Sequence, residues 1–442
     1  MPMVVFAITA RIKLEQRLAR AMAMQSDALE KKMNEIEQAL QQVFPAGAKV
    51  AIVQDLYSGF RIREAEHILL VEVANSGDLD GLSVVKLGPH GELAKEWDAW
   101  HTCRPHGLRH DIVLMDLRRV PDAGDPIAAL VYADAEQLIG VDQTVLLERA
   151  LLDAVRLGEP TAESVADVLF QLYERLGLLL YRHADDEDPL APDYRFDANR
   201  LDRNLAKNLE IWADESRQAF LTRSSITTAI EDLGLSESFQ DPAFMVSWIT
   251  QQPGAGTHLP RMLRGRSHGD LHGRNVLVGR IGNRVIWPAV FDYGNMGRDN
   301  LVGWDFVKME AEFKLRAYRS LFPGERFVES VIRTEVEMFQ ATEQSRNSGH
   351  FPELPSGAVP LERFRWLVQT IRRLAGGHLS YRNRSMLWLH EYYFLLAVYG
   401  LNAGRFENLT PIEQTSAYLC AGAAADRFSD TFRQRTPAKE TR

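Results

Sequence analysis

His268-Gly269-Asp270-Leu271-His272 is followed by Asn275, five residues past the aspartate, and by a second carboxylate in Asp292-Tyr293-Gly294. A carboxylate able to meet a reacting hydroxyl, with an Asn amide oxygen and another Asp able to share a hard cation, is what phosphoryl transfer from a nucleotide requires. Gly273-Arg274-Asn275 leads directly into Val276-Leu277-Val278, and the run from Val285 to Phe291 ends at Asp292. Two short apolar runs around Gly282-Asn283 read as a hairpin. Such a hairpin brings Asn275 and Asp292 close together at its open end. Asp270, a turn of loop earlier, is placed to orient and deprotonate an incoming hydroxyl. Either triplet alone reads as a turn or a strand end. Both together, in this order and joined by a hairpin, read as a kinase-type site.

The pattern His268-x-Asp270-x-x-x-x-Asn275 with Asp292-x-Gly294 resembles the catalytic and metal loops of the protein-kinase-like superfamily. Its Gly-Asp-Leu-His wording resembles the aminoglycoside phosphotransferase and choline kinase branch, and also the kinase-like, ternary-complex-associated domains of bacterial conflict systems. The resemblance implies a bilobal α+β fold: a small lobe with a five-stranded antiparallel sheet plus a helix, and a large, mostly helical lobe carrying the catalytic-loop hairpin. It implies ATP or another nucleoside triphosphate and Mg²⁺ as cofactors. Asp270 is then the catalytic base, Asn275 and Asp292 the metal ligands, and His268 a side chain that organises the loop. The acceptor is expected to be a hydroxyl of a small molecule. The alternatives are a nucleotide-binding regulatory component of a conflict or defence system, or a kinase or nucleotidyltransferase acting on a protein.

The same resemblance asks for a strand lysine and a helix glutamate upstream. Leu82 to Leu87 is a β-rich run with one lysine, Lys86, and a helical stretch from Glu92 to Cys103 follows. Lys86 is the candidate for the α/β-phosphates and Glu96 its partner, with Glu92, one helical turn earlier, as competitor. Lys49–Leu56 and His67–Val73 read as two strands joined through Tyr57-Ser58-Gly59-Phe60-Arg61. That joint is the expected nucleotide-covering hairpin, with Gly59 its only glycine and Arg61 or Arg63 supplying charge. Asp111–Val120 and Ile127–Tyr132 complete the sheet. Val131-Tyr132-Ala133-Asp134 is the expected hinge, where backbone groups of Tyr132 and Ala133 meet a base edge.

The elements around this site divide into an amphipathic helical extension over 1–46, a nucleotide-binding lobe over 47–134 and a helical lobe over 135–442. Leu29, Met33, Ile36, Leu40 and Val43 share one helix face, which packs on the small lobe or on a partner or second copy. Ser164–Tyr181 and Arg200–Ser216 have helical periodicity, and Asp185-Asp186-Glu187-Asp188 reads as a solvated acidic loop. Asp305 opens a helix running toward Arg319, for which capping is the simple account, and the resemblance to kinase-like folds implies a supporting role in bracing the catalytic loop as well. Arg363, Arg365, Arg372, Arg373, Arg382 and Arg384 read as ion-paired surface residues. His268 and His272 have zinc-like spacing but no third soft ligand nearby.

The 442 residues are 45% hydrophobic and 25% charged, enough chain for two cored lobes. A net charge of −9 argues against nonspecific nucleic-acid binding. Two cysteines, Cys103 and Cys420, make no disulfide framework, so a reducing, cytoplasmic setting is expected. Val4-Val5-Phe6-Ala7-Ile8 is too short for a signal core, and Met386–Leu401, which contains His390 and Glu391, reads as a buried core helix rather than a membrane span.

Overall fold

The computed structural model describes residues 34, 38–40, 43–44, 47–56, 67–77, 80–104, 113–119, 128–133, 138, 140–181, 223–242, 260, 262–380, 388–404, 406 and 409–433. In chain order the elements are β1 (Lys49–Asp55), β2 (His67–Ala74), β3 (Gly81–Gly88), α1 (His90–Cys103), β4 (Asp116–Arg119), β5 (Ala128–Ala133), β6 (Gln143–Leu146), α2 (Leu147–Leu157), α3 (Ala162–Leu179) and α4 (Arg223–Asp232). They continue with β7 (Arg264–Ser267), β8 (Val276–Ile281), β9 (Arg284–Val290), β10 (Gly297–Leu301), α5 (Gly303–Leu321), α6 (Phe327–Ser348), α7 (Pro360–Leu379), α8 (Trp388–Ala403) and α9 (Pro411–Arg433). The chain divides into two compact units, Met1–Leu147 with Arg274–Arg298, and Glu148–Gly273 with Asp299–Arg442. The expected segments Leu29–Ile36, Tyr57–Arg63, Asp134, Asp185–Asp188, Arg200–Ser216, Arg382 and Arg384 lie outside the described residues, apart from position 34.

The first unit is built on a five-stranded sheet in the order β1-β2-β3-β5-β4, each neighbouring pair antiparallel. β-branched and leucine residues on β1, β2, β3 and β5 bury one face. Leu40 and Val43, from the stripe read in the sequence, lie in that same core with Val50, Val71, Val85 and Val131. On α1 the buried residues Leu93, Glu96, Trp100 and Cys103 recur at spacings of three and four, so one helix face carries both the apolar anchors and a carboxylate. β8 and β9 form the hairpin expected at Gly282-Asn283, and Gly282 adopts φ 56°, the left-handed conformation such a two-residue turn demands. β6 pairs on the other side of β8. Val113 and Met115 bond to Val290 (2.6 and 3.4 Å), which ties the end of the hairpin to the segment entering β4.

The second unit is helical. α8 is apolar almost throughout and nearly every residue in it is buried, as expected of a core helix. No helix among the described residues is long and apolar enough to cross a membrane.

A closed charge network lies inside this helical core. Arg372 of α7 grips Glu310 of α5 through Nη2 (2.7 Å) and Nε (2.9 Å). Lys314 bonds Glu310 (3.0 Å) and Glu335 of α6 (2.9 Å). Tyr392 donates to Glu310, and Tyr318 and the Cys420 thiol donate to Glu335. The four charged side chains are 0 to 1% exposed, and two cations balance two carboxylates. Arg372 is therefore not the surface residue its sequence setting suggests: its charge is met in the core, whereas Arg365 pairs with Glu337 near the surface.

Arg372→Met is expected to lower unfolding free energy by about 3–5 kcal/mol, because Glu310 is left buried beside too little positive charge. A urea titration reads this as a lower midpoint. Burial pushes the Glu310 carboxyl up, but Arg372 and Lys314 outweigh it and bring its pKa from 4.5 down to about 2. A depressed carboxyl stabilises the fold above its unfolded pKa and loses that contribution as pH falls, so the loss should run from pH 4.5 toward pH 2. The variant should lack most of this acid-dependent step. A variant with the wild-type midpoint and pH profile would overturn the assignment.

Candidate functional site

In the first unit, strand alternation decides what stands beside Lys86. Lys86 pairs across the ladder with Leu130, and Val84 with Tyr132, so Lys86 and Tyr132 project from the same face of the sheet. α1 presents Glu96 to that face. Lys86 Nζ lies 3.0 Å from Glu96 Oε2 and 3.0 Å from Asp292 Oδ1. Tyr132 donates its hydroxyl proton to Glu96 Oε1, and the same hydroxyl oxygen accepts the Asp292 N–H at 3.3 Å. Burial acts to lower the Lys86 pKa, but the carboxylates of Asp292 and Glu96 override it and hold the ammonium well above its ordinary range. Burial and the charge of Asp292 push the Glu96 carboxyl up, against the pull of Lys86. Lys86 is thus a fixed cation whose neighbours hold its position.

Asp292 leaves the hairpin with φ 65°, a left-handed conformation that Asp tolerates better than most side chains. Its neighbour Tyr293 explains how that conformation is kept. The Tyr293 N–H donates to Glu96 Oε1 (2.7 Å), its ring stacks on Trp100 at 4.4 Å, and the carbonyls of Val290 (2.7 Å) and Met115 (2.9 Å) share its single hydroxyl proton. At the other strand of the hairpin the Asn275 carbonyl accepts the Phe291 N–H at 3.1 Å, with Asn275 itself 5% exposed. The hairpin therefore carries Asn275 and Asp292 on its open end. Ala133 ends β5 one residue past Tyr132, and Gly59 lies outside the described residues.

In the second unit, β7 leads into the His268-Gly269-Asp270 loop, and one turn of α5 holds that loop. Asp305 accepts the N–H of His268 (3.0 Å) and of Gly269 (2.7 Å) and the hydroxyl of Tyr181 (3.1 Å). Its burial is complete, and burial raises its pKa against those donors. The bracing role expected of Asp305 has this geometry. Three residues on, Lys308 donates to the Gly269 carbonyl and to Asp270 Oδ1, both at 2.8 Å. Gly269 has φ 75°, which lets its N–H and carbonyl serve the two α5 side chains. Gly273 has no room for a side chain, since an added Cβ would lie 2.6 Å from the Glu148 nitrogen.

His268 is fully buried, and its Nδ1 accepts the Asp270 N–H at 3.3 Å. His272 Nε2 stands 3.9 Å from Asp270 Oδ1. Burial pushes the Asp270 carboxyl up, but Lys308 first, then His272 and His268, outweigh it and hold it well below the usual carboxylate range. Asp270 keeps 28% of its side chain exposed. Among the described residues no group of three or more His, Cys, Asp or Glu side chains is set to enclose a metal ion.

The sequence reading missed Lys308, the Tyr132 hydroxyl and Tyr293. Tyr132 was open to discovery, because strand parity alone puts it on the Lys86 face. Lys308 had only the weak signal of lying one turn after Asp305 on the same helix face.

No protein-family model matches the chain, and no curated protein matches it. Among solved structures it is similar to choline kinase from Cryptosporidium parvum Iowa II, with a TM-score of 0.35 and 11% identity over 91% of this chain and 95% of that one. It is also similar to APH(2")-IIia in its GDP and kanamycin complex, with a TM-score of 0.31 and 13% identity over 77% of this chain and 96% of that one. At these identities neither transfers a residue's role.

Proposed function

We propose that this chain is a phosphotransferase that moves a phosphoryl group from a nucleoside triphosphate to a hydroxyl of a small molecule. The observation that supports this most directly is the buried Lys86 ammonium held between Glu96 and Asp292, both at 3.0 Å. A cation kept charged and fixed in position suits the α/β-phosphates of a nucleotide, and catalysis of phosphoryl transfer rests mainly on such positioning and charge compensation.

Asn275 and Asp292 fit Mg²⁺, because an amide oxygen and a carboxylate are hard donors, and this ion takes only one or two protein ligands beside water and phosphates. When bound, the ion supplies neutralisation of charge on the transferring phosphate. Asp270 supplies the remaining part. It accepts the acceptor's hydroxyl proton, with Asp305 and His268 keeping its backbone in place. Lys308 acts as a positioning residue.

A second reading, a nucleotide-responsive regulatory protein with little transfer, is favoured by one observation. The Lys308 pair makes Asp270 a weak base. The two readings separate in one experiment on the full chain: a thermal-shift series with ATP and Mg²⁺, run beside an ATP-consumption assay over aminoglycosides, amino alcohols, sugars and nucleosides. The phosphotransferase is expected to show a midpoint raised by a few degrees, about what ligand excess over Kd gives, together with consumption that needs one acceptor class. A raised midpoint without consumption in any class favours the regulatory reading. Neither a shift nor consumption removes both.

A further inference from the structure

A cavity of about 340 Å³ opens in the helical unit between the end of α6, the turn after it, the second half of α7 and the first residue of α8. Its volume is at the lower end of what small-molecule sites span, roughly 300–1,000 Å³. The lining is unusual in charge. Arg346, Arg372 and Arg373 line it beside His350, and among the described residues lining it there is no carboxylate. The chain as a whole carries a net charge of −9.

Two of these cations, Arg372 and Arg373, differ in what holds them. Arg372 is committed to Glu310 inside the core. Arg373, next along α7, is exposed and lies over the Phe351 ring at 4.4 Å. Among the described residues no carboxylate pairs with it, and stacking of this kind orients a guanidinium while leaving its N–H edge able to donate.

The apolar part of the wall comes from Phe351 and Trp388. Helix α7 carries two successive glycines there, although glycine is the least favourable non-proline residue within a helix. Gly376 has a packing reason: a Cβ would approach Trp388 Cζ2 to 3.0 Å. Gly377 has none, since a Cβ there would meet nothing within 4 Å and would project into the open space that the residue lines.

We infer that this cavity is a binding site for a small aromatic anion, its ring against Phe351 and Trp388 and its carboxylate, sulfonate or phosphate toward Arg373 and His350. All of these residues belong to one unit, and none is part of the Lys86 or Asp270 clusters. The inference therefore stands or falls apart from the proposed function.

Isothermal titration calorimetry of the full chain with naphthalene-2-sulfonate, 2-naphthylmethanol and 2-naphthylmethylammonium tests it. The sulfonate is expected to bind, the neutral alcohol about tenfold more weakly or worse, and the ammonium not at all, in line with the strength of charge-assisted bonds. Arg373→Gln should weaken the sulfonate about tenfold by removing its charged partner. Gly377→Leu should fill the space and remove binding while holding or raising the thermal midpoint, because leucine favours the helix. That second variant separates loss of the cavity from loss of the fold. Equal affinity for the three compounds, no heat from the sulfonate at about 1 mM, the weakest range worth assigning, or unchanged affinity in either variant would overturn the inference.

Discussion

Asp270→Asn is expected to lower acceptor-dependent turnover by about 10²–10⁴-fold, the range that loss of a general base produces, while nucleotide affinity measured by thermal shift stays close to wild type. The amide keeps the size of the carboxylate and can still meet Lys308 through its oxygen, so the loop bonds from Asp305 to His268 and Gly269 should persist. What is lost is the anionic oxygen that accepts a proton. Turnover unchanged in this variant would remove Asp270 from the chemistry.

Lys308→Met sharpens the test, because it acts on Asp270 without touching the carboxylate. In the wild type Lys308 holds Asp270 ionised well below the usual carboxylate range. Its transfer rate should therefore not fall on the acid side through the ordinary titration of a carboxyl. Without Lys308 the Asp270 pKa rises, and an acid limb should enter the profile at higher pH than in the wild type. A role confined to stability would lower the amount of folded protein without moving that limb.

The second large effect belongs to Asp292. Asp292→Asn is expected to reduce Mg²⁺-dependent turnover by on the order of 10³-fold, since losing a charged metal ligand removes several kcal/mol of charge stabilisation. Asparagine is chosen because the residue sits at φ 65°, which Asn accepts and most side chains resist. The Lys86–Glu96 pair should survive, as its 3.0 Å contact does not pass through Asp292. Far-UV circular dichroism and the thermal midpoint check that the fold is kept. Turnover at the wild-type rate with the same Mg²⁺ dependence would reject Asp292 as a metal ligand.

Much of the first unit was legible because its signals are local. A Gly-Asn turn between two apolar runs specifies a hairpin in a few residues, and it lies where Val276–Ile281 and Arg284–Val290 form one. The strand with Lys86 and the helix with Glu96 were legible for the same reason, since strand period and helix period are written in adjacent segments. The choice of Glu96 over Glu92 was not a local matter. It depends on packing: Glu96 shares the buried face of α1 with Leu93, Trp100 and Cys103.

What could not be read depends on tertiary contacts at long sequence separation. Lys308 meets Asp270 across 38 residues, and Tyr132 meets Asp292 across 160. A lysine on an amphipathic helix has the same local signature whether it faces solvent or a carboxylate. Arg372 shows the cost of that ambiguity. Its neighbours Arg363, Arg365 and Arg373 suggest a charged surface, yet α7 turns Arg372 inward, where it is fully buried.

The Glu310, Lys314, Glu335 and Arg372 quartet has a consequence for how this helical core can change over time. Altering any one member strands an opposite charge in a medium that cannot solvate it, so single steps cross a stability deficit. Simultaneous replacement by apolar side chains of matching volume avoids that deficit. The quartet should therefore be inherited as a block, kept whole or discarded whole in lineages that share this core.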